Sequence, residues 1–267
     1  MNTKIFIILI LNLISIEFVS SQNCDYEDYH KSIELAKKEY ENENFKEASK
    51  LYKIAFEKAD FPFGTDLRNA FKVAEKTKDE IWMEQIAIKL AKGGIPLKYF
   101  KFFDKYKWSV TFYEQFPQYE KYFNENFDLE FREALINVAK LDTETNSHFH
   151  EWRTRKVEHS VDTLVAEMTN VSLGFQKIIE KFGFPTEKKI GYYYNKGDIN
   201  ELPTIVLLIH IYGRGELLYI EQLNELVCNG GLTTSQSKIL ESKRGLGNST
   251  GIVQEMEAAK KKFRKNE

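Results

Sequence analysis

The stretch Leu35-Ala36-Lys37-Lys38-Glu39-Tyr40-Glu41-Asn42-Glu43-Asn44-Phe45-Lys46-Glu47-Ala48-Ser49-Lys50-Leu51-Tyr52-Lys53-Ile54-Ala55-Phe56 decides the fold. Asn42-Glu43-Asn44 interrupts two runs of helical period. Ile33, Leu35, Ala36 and Tyr40 belong to the first run, and Phe45, Ala48, Tyr52, Ala55 and Phe56 to the second. Steps of four from Ala48 to Tyr52 and from Tyr52 to Phe56 put these side chains on one helix face. The small Ala36, Ala48 and Ala55 allow two helices to approach closely, while Tyr40 and Tyr52 fill the remaining space. Residues 29–60 therefore predict a helix pair.

The positions of Leu35-Ala36, Tyr40, Phe45, Ala48, Tyr52 and Ala55 resemble a tetratricopeptide repeat, a unit of about 34 residues. Ser32 stands where that motif has its first aromatic residue. One period further on lie Ala70, Trp82 and Ile86, which predicts a second, degenerate unit from Asp66 to Lys92, ended by Gly93-Gly94 and Pro96. Such units bury their apolar faces only by stacking, and about three are usually needed. Two visible units require a cap. The resemblance implies an interaction groove, with Tyr40, Tyr52 and Trp82 as its candidate residues.

The cap is predicted where the aromatic residues concentrate. The chain has 20 Phe, 14 Tyr and 3 Trp, 14% of its length, and 14 of the 33 residues from Tyr99 to Phe131 are aromatic. Tyr99, Phe102, Phe103 and Tyr106 step as one helix face. Phe112, Phe116, Tyr119 and Phe123 step as another, with Pro117 as a point of helix restart. Rings at helical spacing read as core between helices, with an exposed platform for sugar rings or a peptide as the alternative.

The composition sets outer bounds. Across 267 residues, 38 Lys+Arg face 40 Asp+Glu, a net charge of −2. That balance argues against a nucleic-acid partner, which requires a basic surface. The 42% apolar and 29% charged content excludes a wholly disordered chain. Residues 1–21 have the order of a secretory signal: Lys4, the apolar run Ile5 to Ile16, then Val19-Ser20-Ser21. Twelve residues rise only about 18 Å as helix, short of a bilayer core. Cleavage after Ser21 and a periplasmic or extracellular protein are expected, with no transmembrane segment afterwards. The expected organisation is then a repeat region with an aromatic joint over 22–130 and a C-terminal helical domain over 131–267.

Export makes a disulfide between Cys24 and Cys228 permissible. Alternatively, Cys228 packs as a small hydrophobe after Leu218, Leu223, Leu226 and Val227, and Cys24 lies near a chain end.

In the second half, Phe131 to Lys140 predicts a helix, followed by a polar loop from Asp142 to His159. Helices are predicted at about 162–168 and 173–182, the latter stopped by Gly183-Phe184-Pro185. Ile190-Gly191-Tyr192-Tyr193-Tyr194 reads as a short strand or extended loop. Ile205–Tyr212, Leu217–Cys228 and Ser235–Ser242 read as three further helices separated by glycines. The basic tail Lys260–Lys265 reads as a solvated helix end. The expected fold class is mainly α: repeat-like hairpins packed on a helical domain, with at most one short strand pair.

Residues 131–245 resemble a family of uncharacterised bacterial domains. Its members carry an early Asp, a helix ending Ile-Ile-x-x-x-Gly-Trp-Pro, a Val-Gly, and an apolar helix with Gln-His-Ala-Asp. This chain has Asp142, Ile178-Ile179-Glu180-Lys181-Phe182-Gly183-Phe184-Pro185, Ile190-Gly191, and Leu207-Leu208-Ile209-His210-Ile211-Tyr212. Ile209 replaces the Gln and Tyr212 the Asp. Only Ser242-Lys243-Arg244 meets the later Asp-Arg pair, and the closing Tyr-Gly-Thr-Gln is absent. The resemblance implies no activity, and the lost polar residues favour a non-catalytic or diverged role.

Candidate chemistry centres on His210, with Arg214 one turn on and Asp142 as a carboxylate partner. An imidazole held by a carboxylate can act as a general base near neutral pH, whereas a hydrogen-bonded core histidine would be structural. His148, His150 and His159 invite a zinc reading, but residues two apart share a site only if extended. No phosphate-binding loop or Gly-x-Ser-x-Gly elbow occurs. Neither a metal nor any other cofactor is expected. The sequence thus predicts an exported helical-repeat protein of the bacterial envelope that contacts a protein or peptide partner, with no assigned catalysis. The alternative is an envelope enzyme or small-ligand binder using His210 and Arg214.

Overall fold

In a computed structural model, residues 24–154 and 160–247 are described. The signal-like segment 1–21, His159 and the basic tail lie outside them. Helices α1 (Glu27–Glu41) and α2 (Phe45–Lys58) form the first antiparallel hairpin. The turn between them places Glu43 at φ 60°. Tyr29, Ile33 and Ala36 of α1 are buried with Ala48, Tyr52 and Ala55 of α2, so the alanines do lie at the contact. A second hairpin joins α3 (Gly64–Thr77) and α4 (Glu80–Lys92) through Lys78 in the left-handed region. Asp79 caps α4 by accepting the Trp82 N–H.

The aromatic segment closes this half. It forms the short helix α5 (Leu97–Phe100), a 3-10 turn over Lys101–Phe103, and α6 (Ser109–Asn126). The single helix expected across Tyr99–Tyr106 is thus broken. Phe100 and Phe103 turn inward, and Phe103 stacks on Phe71 of α3 at 4.5 Å. Phe102, expected on the same face, is 80% exposed. In α6, Phe112, Phe116 and Tyr119 are buried. Pro117 restarts nothing: the helix runs through it, and the proline lies on the exposed face.

The second core is built from α7 (Leu129–Arg153), α8 (Val161–Phe182), α10 (Thr204–Gly213), α11 (Leu223–Cys228) and α12 (Thr234–Ser242). Three sequence expectations need correction. The helix expected over Leu217–Cys228 is a 3-10 turn at Ile220–Gln222 followed by the shorter α11, because Tyr219 takes the left-handed conformation. Of the polar loop expected from Asp142 to His159, the part from Asp142 to Arg153 is helix, because Asp142, Thr145 and Phe149 continue the buried face of Phe131 and Leu135. The separate helices at 162–168 and 173–182 are one, α8, with Gly174 set against Val138 of α7. Among the described residues there are twelve α-helices and one sheet, so the protein is mainly α.

That sheet ties the halves together. After the one-turn helix α9 (Glu187–Ile190), β1 (Tyr193–Asn195) pairs antiparallel with β2 (Asp198–Asn200), Tyr194 opposite Ile199. Tyr192 and Ile199 belong to the core of the first half, not the second. The Tyr192 hydroxyl donates to the Pro62 carbonyl at 3.0 Å, and its N–H donates to the Gly93 carbonyl at 2.7 Å. A Cβ on Gly93 would lie 2.2 Å from the Tyr192 ring, so the close approach requires glycine. Phe61 stacks on Tyr192 at 4.9 Å, and Arg68 pairs with Asp198.

A second tie lies at the start of α1. Cys24 and Cys228 form a disulfide with a Cα–Cα distance of 4.4 Å, across 204 residues of sequence. The Tyr26 N–H donates to the Cys228 carbonyl, and the Tyr26 ring covers Gly230. His30 Nε2 lies 3.1 Å from the Val227 carbonyl. No helix among the described residues is long and apolar enough to cross a membrane.

Candidate functional site

An open concavity lies between the second helices of the two hairpins. Lys53, Phe56 and Glu57 come from α2. Ile81, Trp82, Gln85, Ile86 and Lys89 come from α4, with Asp79 at its cap. The spacings of three and four residues put each set on one helix face. The volume is about 400 Å³, within the range of about 300–1,000 Å³ typical of ligand sites.

Trp82 is largely buried and presents its ring to the groove floor with Ile86 and Phe56. The Lys53 ammonium sits 4.8 Å above the centre of that ring. Asp79 holds it there at 2.7 Å while its other oxygen accepts the Trp82 N–H at 3.1 Å. Burial pulls the Asp79 carboxyl upward, but the Lys53 bond and the Trp82 N–H outweigh it and leave the group below its ordinary value. At the rim Ile81 is 73% exposed. Lys89 has no carboxylate within ion-pair distance among the described residues. Desolvation pushes its ammonium below the ordinary lysine value.

Of the three groove residues expected from sequence, only Trp82 lines this groove. Tyr52 is 1% exposed and packs inside the hairpin against Phe56, because its four-residue step from Ala48 aims it at α1. Tyr40 lies half-buried at the hairpin end against Phe45. Phe56, Ile81 and Lys89 are groove residues that the repeat pattern does not single out. The step Trp82, Ile86, Lys89 is the signal that marks them.

The second constellation is polar and joins α7, α8 and α10. Asp142 is buried, and its two oxygens serve different partners: His210 Nδ1 at 2.6 Å and an Arg214 guanidinium N–H at 2.9 Å. Arg214 also donates to the Met168 carbonyl of α8. Asn146, one turn along α7, donates to the Asp142 carbonyl, and its amide nitrogen lies 2.8 Å from His210 Nδ1. The Asp142 carboxylate only accepts, so Nδ1 carries the proton and donates to it, and the Asn146 amide beside it makes its hydrogen bond to the Asp142 carbonyl and none to Nδ1. Nε2 is left without a partner among the described residues, on a side chain one-third exposed. Desolvation lowers the Arg214 guanidinium from its usual value, while Asp142 opposes that drop. The sequence candidates His210, Arg214 and Asp142 are therefore in direct contact, with Asp142 as the bridge.

His148 does not join His150 in a metal site. The α7 helix directs His148 to Glu167 of α8 at 3.0 Å. Among the described residues no group of three or more His, Cys, Asp or Glu is placed to hold a metal ion. Compared with family models, curated proteins and solved structures, the chain gives no match.

Proposed function

We propose that this protein is an interaction module that binds a peptide segment of a partner protein in the groove between α2 and α4. The carrying observation is an aromatic floor, Trp82 braced by Lys53, below the exposed rim residue Ile81. Buried apolar anchors with a few fixed polar groups are what an extended or helical ligand segment needs. Export to the bacterial envelope belongs to the same reading. It is supported by the order of residues 1–21 and by the Cys24–Cys228 bridge, since disulfides persist in oxidising compartments.

The test is selection of peptides from a random displayed library on the full chain. Selected peptides should lose at least fivefold in affinity on Ile81→Ser, a rim change that leaves the melting temperature within a few degrees. Peptides indifferent to Ile81→Ser and also to Trp82→Phe would overturn the reading.

One observation favours a second reading. Asp142 fixes the His210 imidazole through Nδ1 and leaves Nε2 without a partner among the described residues, an arrangement suited to proton transfer or to holding a small polar ligand. Under it, His210→Gln abolishes ligand binding or turnover without unfolding the protein. Loss of stability alone would make the histidine a structural tie.

A further inference from the structure

The turn between α5 and α6 presents one large ring to solvent. Phe102 is 80% exposed, although Phe100 and Phe103 beside it are buried. Tyr99, Phe100, Phe103, Tyr106 and Trp108 each pack against another ring. Phe102 has no such contact among the described residues. Its flanks are fixed: Phe103 stacks on Phe71, the Tyr106 hydroxyl donates to Glu75 at 2.6 Å, and the Tyr113 hydroxyl donates to the Phe100 carbonyl. The fold gains little from an apolar ring left in water.

The charge around this ring is one-sided. Lys98, Lys101, Lys105 and Lys107 lie within five positions of Phe102, and Asp104 is the one acid in that stretch. On α3, Arg68, Lys72 and Glu75 share a helix face. Arg68 is paired with Asp198, and Glu75 with Lys105. Those pairs cancel. Lys72, Lys98, Lys101 and Lys107 are exposed and have no carboxylate within ion-pair distance among the described residues. Lys98 instead lies over the Tyr194 ring at 4.9 Å. Four lysines thus face Asp104 alone, on a chain whose net charge is −2.

We propose that residues 97–108 dock the protein peripherally on a bilayer containing anionic lipid, with the Phe102 ring in the boundary between headgroups and acyl chains and Lys72, Lys98, Lys101 and Lys107 against the lipid phosphates. An apolar residue among basic ones is the composition of an interfacial anchor. The lysine stems reach phosphates at the level of the interface while their apolar lengths follow the ring. A projecting ring needs a shaped pocket on a protein partner, whereas a lipid interface yields to it. Scattered lysines without an arginine fork fit a diffuse anionic surface better than one carboxylate or phosphate. One ring and a few charges give reversible, salt-sensitive binding.

The test follows co-sedimentation with vesicles of phosphatidylcholine alone and of phosphatidylcholine mixed equally with phosphatidylglycerol. The chain is used from Gln22, the product expected of signal cleavage, so that the run Ile5 to Ile16 does not itself bind lipid. The basic tail is common to every variant, so differences between variants are read. Phe102→Ser should weaken binding to the mixed vesicles at least fivefold. Lys98→Gln with Lys101→Gln and Lys107→Gln should weaken it at least tenfold at low salt, since one such charge is worth about fivefold at an anionic surface. Val206→Ser, at an exposed apolar residue of α10, should change nothing. Phe102→Trp should retain binding and add indole fluorescence that lipids brominated on their acyl chains quench. Binding indifferent to Phe102→Ser, or no added quenching in Phe102→Trp, overturns the proposal. So does full binding by the triple lysine variant, which would assign it to the tail. Absence of binding to the mixed vesicles at millimolar lipid overturns it too, and leaves the turn as a contact for an acidic protein.

Discussion

Asp142 holds two bases of different kinds, and its removal separates them. Asp142→Asn keeps an amide oxygen that can accept from Arg214, beside the Met168 carbonyl at 3.3 Å, but removes the counter-charge in contact with the buried guanidinium. Breaking a buried pair from one side typically costs about 3–5 kcal/mol. Urea unfolding of Asp142→Asn should show a loss of that order, whereas His210→Gln, at a side chain one-third exposed, should lose well under half as much. Equal losses would mean that the histidine, and not the arginine, carries the network. At this scale much was legible in the sequence. His210 and Arg214 stand one turn apart at the end of an apolar helix, and an early Asp was their natural partner. That Asp142 would be inside a helix was hidden, because a run of Asp, Thr, Glu, Asn, Ser and His reads as solvated until its buried partners are known.

Elements meet across the two halves at a carboxyl group. Glu187 of α9 is buried, and it accepts the Gly64 N–H at the start of α3 at 2.7 Å. Burial dominates its titration and, with Asp66 and Glu201 adding like charge against the Gly64 bond and Arg132, lifts its pKa to about 8. The folded protein therefore binds this proton more tightly than the unfolded chain, whose Glu titrates near 4.5. Stability from this group is complete below about pH 4.5 and declines as pH rises through 8. A tenfold difference in proton affinity is worth about 1.4 kcal/mol, so the decline amounts to several kcal/mol. Glu187→Gln keeps an acceptor for Gly64 and should flatten the pH dependence of urea midpoints between pH 5 and 9, with the gain largest at pH 9. An unchanged slope would refute the assignment. Nothing in the sequence signalled this contact. The hairpins of the first half were legible because Ala36, Ala48, Ala55 and the tyrosines repeat locally. Glu187 lies more than a hundred positions from Gly64, and Tyr192 from Pro62 is equally remote, so no local period records either.

The whole molecule is fastened at two places distant in sequence. A bridge spanning 204 residues would stabilise by about 5 kcal/mol in the chain-entropy model. Cys24→Ser with Cys228→Ser should lower the unfolding free energy by up to that amount, and should expose the Tyr26 and Tyr29 amides to faster hydrogen exchange. A double variant as stable as the native chain under non-reducing conditions would show that the Tyr26 contacts alone dock the first turn of α1.

Tyr192 gives the order of manufacture a physical meaning. The helices from Glu27 to Asn126 leave the ribosome with an empty slot at Gly64 and Gly93, and the residue that fills it follows some tens of positions later. At about 5–20 residues per second the half-finished stack stands open for seconds, its apolar interior accessible to whatever holds nascent chains. Cys228, which fastens the approach to α1 onto the end of α11, arrives later still. The early helices are thus completed by residues made long after them, and a copy cut short before Tyr192 is left unfinished as well as shortened.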